Sequence, residues 1–242
     1  MFSTLVCLHG WGGSKESFTQ LREALKESDD LRILTPDMPG FGAEPEPGSP
    51  WTVDDYANWV AEYIKQNVDG PYALLGHSHG GRIAIKLVSS PNPSPNPNPT
   101  HLFLCAAAGI RHPKHLKRFA GLTLAKTGDV ILSIPGIRAI KPHAKKFLYK
   151  LFGVHDYEQA SEVMRKTLEN VTREDLKPIL SQINVPTTIF WGEEDTMTPV
   201  SDGKLIHEQI AGSELHIYPE VRHGVHRDCA DEIAKHILSA RS

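Results

Sequence analysis

A chain of 242 residues, 40 % of them hydrophobic, can close one sizeable core, with or without a small appended lid, and needs no covalent staples. Its formal net charge of −3 excludes the global polycation of a nucleic-acid binder. Three scattered cysteines exclude a disulfide framework: Cys7 and Cys105 stand in apolar strand-like runs and Cys229 in a helical pattern, the surroundings of reduced core thiols.

The first residues, Met1-Phe2-Ser3-Thr4, lack the basic start of a secretory signal, and no stretch reaches the length of a membrane span, so a cytoplasmic protein is expected. Short apolar runs then alternate with longer helical stretches. Strands are predicted at about Ser3 to Leu8, Arg32 to Thr35, Tyr72 to Leu75, His101 to Ala106, Thr187 to Trp191 and Glu214 to Tyr218. Helices are predicted at about Ser17 to Glu27, Val53 to Asn67, Gly80 to Ser89, Gly203 to Ile210 and Asp231 to Ser239. That rhythm belongs to an α/β fold with a predominantly parallel, six-stranded sheet covered by helices on both faces. Such sheets bind ligands at the carboxyl ends of their strands.

Two stretches break the rhythm. Ser90 to Pro99 is a Pro/Asn run that suits neither helix nor central strand, and reads as a semi-rigid surface connector. Residues 110–180 form a long insertion of helical pattern, which assigns 1–109 and 181–242 to a catalytic core and 110–180 to a helical lid. Between Arg111 and Lys150 this insertion carries ten Lys or Arg against one acid, Asp129, with Leu116, Phe119, Ile131 and Phe147 among the apolar residues interleaved. Three readings stay open: a solvated basic face, attraction of anionic acyl substrates, or weak docking to an anionic membrane surface.

The chemistry starts at Gly76-His77-Ser78-His79-Gly80, G-x-S-x-G between a predicted strand and a predicted helix. A serine at such a turn is pushed out of the backbone, and the helix that follows aims free N–H groups at it. To act as a nucleophile it needs a base, and the base an orienting acid. After the fifth strand come Glu193, Glu194 and Asp195, of which Asp195, by its spacing from Trp191-Gly192, is the candidate acid and the glutamates are read as solvated loop charge. After the sixth come His223 and His226; His223, with Gly224 beside it to leave the imidazole room, is the preferred base. The oxyanion donors are predicted as the N–H groups of His79 and of Trp11, in the glycine-rich turn His9-Gly10-Trp11-Gly12-Gly13, with the Trp11 indole also walling a substrate pocket. Histidines on both sides of Ser78 suggest a metal only superficially, because side chains diverge at an elbow and no carboxylate or cysteine completes a set; no metal is expected.

Together with Pro36-Asp37-Met38-Pro39-Gly40-Phe41-Gly42, these motifs resemble the α/β-hydrolase superfamily, and among its members the lid-bearing serine carboxylesterases. The resemblance implies a hydrolase with Ser78, Asp195 and His223 as triad, no cofactor, and a small-molecule ester as substrate. Carbon–carbon bond hydrolases, thioesterases, lactonases and aminopeptidases use the same triad, and a non-catalytic ligand-binding protein of this fold is the alternative from another class. Two departures stand out. The His-Gly turn begins at residue 9, as if the family's first two strands were lacking, and His79 replaces the usual hydrophobic residue after the nucleophile.

Overall fold

The computed structural model describes residues 1–28, 30–89, 99–111 and 160–241. Among them are six strands, β1 (Thr4–Leu8), β2 (Arg32–Leu34), β3 (Tyr72–His77), β4 (His101–Cys105), β5 (Thr187–Gly192) and β6 (Glu214–Tyr218). All pair in parallel in the order β2-β1-β3-β4-β5-β6. The chain runs from β1 outward to one edge, then returns to β3 and steps to the other edge. The strand order therefore reverses between β1 and β3, the switch point at whose carboxyl ends such sheets bind their ligands.

Burial explains which runs became strands. Every residue of β1, β3 and β5 is buried, as a parallel sheet covered on both faces requires. The edge strands β2 and β6 are partly exposed. The helices are α1 (Thr19–Ala24), α2 (Val53–Asn67), α3 (His79–Val88), α4 (Glu162–Arg173), α5 (Val200–Gln209), α6 (Val225–Asp228) and α7 (Ala230–Arg241). Helix α2 starts at a reciprocal cap between Thr52 and Asp55 and turns Val53, Tyr56, Ala57, Val60 and Ile64 inward, one stripe of a 3.6-residue period. Helix α3 is buried along most of its length, and lies so close to β1 that a Cβ on Gly80 would collide with the Leu8 carbonyl oxygen.

The predicted helix over Ser17 to Glu27 is shorter than expected. Ser14 caps a 3-10 turn at Lys15–Phe18, which leads into α1 and ends it by Leu25. The last helix extends beyond its predicted bounds, and Cys229 sits at the junction of α6 and α7. Cys7, Cys105 and Cys229 are unpaired and buried, and burial raises the pKa of each.

The predicted connector Ser90 to Pro99 lies, apart from Pro99, outside the described residues, as does the basic stretch beyond Arg111. Of the predicted lid, residues 110–111 and 160–180 are described. Its helix α4 docks on the core. The Trp51 N–H donates to Thr167 Oγ1 at 2.9 Å, Asn170 Nδ2 donates to the Trp51 carbonyl at 3.2 Å, and Met164 fills the space that a side chain at Gly40 would need. Among the described residues, no helix is long and apolar enough to cross a membrane.

Candidate active site

Strand β3 runs two residues past its predicted end, to His77, and α3 begins at His79, leaving Ser78 alone in the turn. Its backbone is at φ 51° and ψ −111°, a left-handed conformation that a non-glycine residue adopts only when its surroundings force it. Those surroundings are visible. The Ser78 N–H donates to the Cys105 carbonyl at 3.1 Å, and its own carbonyl accepts from the N–H groups of Ala108 at 2.9 Å and Arg82 at 3.1 Å. The glycines of the motif are sterically required: a Cβ at Gly76 would lie 2.5 Å from the Gly80 carbonyl oxygen and 2.6 Å from the Gly81 Cα. The side chain of Ser78 stands half-buried at the sheet's reversal point.

Asp195 follows β5, its side chain fully buried, while Glu193 and Glu194 are exposed. Asp195 Oδ1 accepts from the N–H groups of Met197 at 2.8 Å and Thr198 at 3.0 Å, and Oδ2 accepts from the Thr198 hydroxyl at 2.8 Å. His223 Nδ1 lies 2.8 Å from the same Oδ2. A carboxylate can only accept, so Nδ1 carries a proton, the tautomer that in the neutral ring leaves the Nε2 lone pair free. His226 makes no such pair. It sits on α6 with its ring 3.7 Å from that of His77 and edge-on to Phe18, and burial first, then nearby Arg227, pushes its pKa down to about 3.

His223 is fastened to the elbow by its backbone. The His77 Nε2 lies 3.0 Å from the His223 carbonyl oxygen and donates to it, tying the residue before Ser78 to the candidate base. Among the described residues, no hydrogen bond joins the Ser78 hydroxyl directly to His223; such contacts often tighten only when substrate is bound.

The loop after β1 lies against the serine. A Cβ on Gly10 would be 3.3 Å from the Ser78 Cβ and 3.0 Å from His77 Nδ1, so any larger residue would have to press on both. Buried His9 clamps that loop: its Nδ1–H donates to the Gly10 carbonyl at 2.8 Å, and its Nε2 accepts from the Met38 N–H at 3.0 Å. Burial lowers the His9 pKa, which suits this neutral tautomer. The Trp11 indole packs edge-on against Phe41, with ring centres 4.9 Å apart, and against His79 at 5.3 Å. His79 is buried, and also meets Tyr56 edge-on at 5.0 Å. Burial holds its pKa well below the ordinary range, so it serves as a neutral aromatic filler. Its N–H is the first of α3 and has no intrahelical acceptor.

A sequence model of the alpha/beta hydrolase family matches residues 5–236. The chain belongs to the alpha/beta hydrolase family. Among curated proteins it is 25 % identical, over 89 % of its length and 84 % of theirs, to the pimeloyl-[acyl-carrier protein] methyl ester esterase of Neisseria meningitidis serogroup C. It is 27 % identical to an uncharacterized hydrolase of Bacillus subtilis, covering 97 % of this chain and 88 % of that one. Among solved structures, an esterase from Exiguobacterium antarcticum superposes with a TM-score of 0.75 at 24 % identity, covering 99 % of this chain and 92 % of that chain. The chain is thus an alpha/beta hydrolase with esterase relatives.

Three features of this hydrolase's site were not foreseen. Gly224 lies against Arg227: a Cβ there would fall 2.7 Å from its guanidinium, the far end of an exposed side chain. Thr198 hydrogen-bonds the buried acid through both hydroxyl and N–H, a turn that Asp followed three residues later by Thr could have signalled. The His77–His226 stack joins residues far apart in the chain, and no local spacing announces it.

Proposed function

We propose that this hydrolase cleaves small carboxylic esters through an acyl-enzyme formed on Ser78. The observation that carries the reading is the pairing of half-buried His223 with buried Asp195, 2.8 Å apart and tethered through His77 to the left-handed Ser78. In the first half-reaction, His223 Nε2 takes the hydroxyl proton as Ser78 Oγ bonds to the acyl carbon, and the resulting imidazolium returns that proton to the departing alcohol. Water then enters by the same route, and the acid leaves as Ser78 regains its proton. Asp195, which accepts from three donors besides His223, holds the tautomer and the orientation of the ring. The N–H groups of Trp11 and His79 stabilise the tetrahedral oxyanion, and the indole of Trp11 with Phe41 walls the substrate. No step calls on a metal or cofactor.

The named substrate of the Neisseria relatives, a methyl ester of a carrier-bound acyl chain, supports ester over peptide or carbon–carbon chemistry. Residues 110–180 are the lid over this site in our reading, with α4 as its anchoring helix. The excess of Lys and Arg between Arg111 and Lys150 favours a second reading, in which the acyl group or its carrier is anionic. The unpaired buried thiols suit the reducing cytoplasm. A panel of p-nitrophenyl and methyl esters of increasing acyl length tests the assignment. Hydrolysis by the wild type, falling by ~10⁴ or more in Ser78→Ala, is expected. Full activity in that variant refutes it.

A further inference from the structure

The opposite end of the sheet holds a second cluster of chemistry-bearing side chains, which the reaction does not use. Glu214 and His216 lie two residues apart on edge strand β6 and so point to the same face, the face covered by α7. From α7, His236 meets them. The ring centres of His216 and His236 are 4.0 Å apart, His216 Nε2 is 3.6 Å from Glu214 Oε2, and one ligand atom from each of the three residues falls within 4.8 Å of the others. The His216 Nε2 is itself buried and, Glu214 at 3.6 Å apart, has no hydrogen-bond partner, as is also true of nitrogens of His77, His79 and His226 elsewhere in the chain. A buried imidazole nitrogen usually finds a proton donor or acceptor.

The neighbouring side chains are apolar or otherwise engaged. The register sets Phe190 beside His216 and Thr188 beside Glu214. Phe190 forms an apolar floor, its ring centre 5.5 Å from that of His216 and 5.4 Å from that of His236. The remaining nearby imidazole, His101, is engaged by its Nε2 with the Thr188 hydroxyl at 2.9 Å and stacks on Phe103. Glu214 is largely exposed, which leaves a path from solvent to the cluster.

We infer that Glu214, His216 and His236 form a binding site for a divalent transition metal, zinc above all, that fastens the edge strand β6 to the final helix. Two imidazoles and a carboxylate are a set that zinc accepts, with water completing a tetrahedron. Metal–ligand bonds of ~2.0–2.1 Å put neighbouring ligand atoms ~3.4 Å apart, so the cluster needs only small side-chain rotations to close. The site is independent of the ester-hydrolysis reading. Glu214 opens β6, about 13 Å along the strand from the end that leads to His223. The earlier expectation of no metal rested on the histidines beside Ser78; these three ligands come from two elements whose sequence spacing matches no metal motif.

The test uses the full chain without a polyhistidine tag. Zinc is titrated in competition with a chromophoric chelator, and thermal melting is followed with and without the metal. One equivalent bound at micromolar or better Kd, with a higher Tm in zinc, is expected for wild type and for His226→Ala, which removes the other histidine pair. His236→Ala and Glu214→Gln, the latter at an exposed position that leaves the fold alone, should each weaken binding tenfold or more and lose most of the zinc-dependent Tm rise. Zinc affinity unchanged in both variants, binding lost in His226→Ala instead, or no binding by the wild type below millimolar metal overturns the proposal.

Discussion

Replacing His226 with phenylalanine isolates one term in the acid sensitivity of the fold. The imidazole is buried, stacks on His77 and meets Phe18 edge-on, so a phenyl ring keeps the shape but cannot take a proton. In the folded chain its pKa is pushed down to about 3, mainly by burial; in the unfolded chain it returns to the ordinary value near 6.5. Between those values the unfolded state holds one more proton than the folded. The stability is therefore intact above pH 6.5 and falls by ~1.4 kcal/mol per pH unit as pH drops towards 3. At pH 4.5, two units below the unfolded value, the wild type carries a penalty of about 3 kcal/mol from this residue alone. At pH 8 the exchange of imidazole for phenyl costs about 1 kcal/mol through lost polar contact near the Ser17 backbone. His226→Phe should therefore be slightly less stable than wild type at pH 8 and more stable, by about 2 kcal/mol, at pH 4.5. His79, also buried with a lowered pKa, is present in both proteins and cancels, whereas His77, lowered first by burial and then by His226, is partly relieved in the variant and adds to its gain in acid. Urea unfolding followed by tryptophan fluorescence at the two pH values measures the difference. A stability gap that does not change sign or size with pH refutes the reasoning.

Three further outcomes follow from other parts of the structure. Asp195→Asn can keep accepting from Met197 and Thr198 but offers an amide donor to His223, reversing the tautomer; kcat on a p-nitrophenyl ester should fall by ~10³–10⁴ with a native melting curve, and near-normal kcat would contradict the acid's role. Gly80→Ala drives a methyl group into the Leu8 carbonyl, so thermal melting should show a loss of roughly 1–3 kcal/mol or more, and an unchanged Tm would mean that α3 does not press on β1 as described. If the basic stretch steers anionic substrates, kcat/KM for an anionic ester should fall severalfold between low and physiological salt while that for a neutral ester holds steady; a parallel response of the two would end that reading.

The parts of this molecule that sequence exposes are those built from contiguous residues. Tyr72-Ala73-Leu74-Leu75 announces a buried strand because a parallel sheet covered on both faces demands an unbroken apolar run. Gly76 and Gly80 announce the elbow because their missing side chains are what let strand and helix meet. Asp195 was separable from Glu193 and Glu194 by its distance from the end of β5, and burial now distinguishes it physically. What sequence conceals is juxtaposition across elements. The tether from His77 to the His223 backbone, the aromatic cage of Trp11, Phe41 and Tyr56 around His79, and the meeting of His236 with His216 each depend on sheet order and helix placement. Helix limits were displaced where a polar cap intervened, as Ser14 does ahead of α1.

The central claim is that Ser78 is the nucleophile, and the most direct measurement is stoichiometric labelling with a fluorophosphonate, followed by peptide mapping and residual ester hydrolysis. The account predicts one phosphonyl group per chain, located on Ser78, with activity lost in proportion to labelling and no adduct in Ser78→Ala. An adduct on another residue, or hydrolysis that persists once Ser78 is fully labelled, would contradict it.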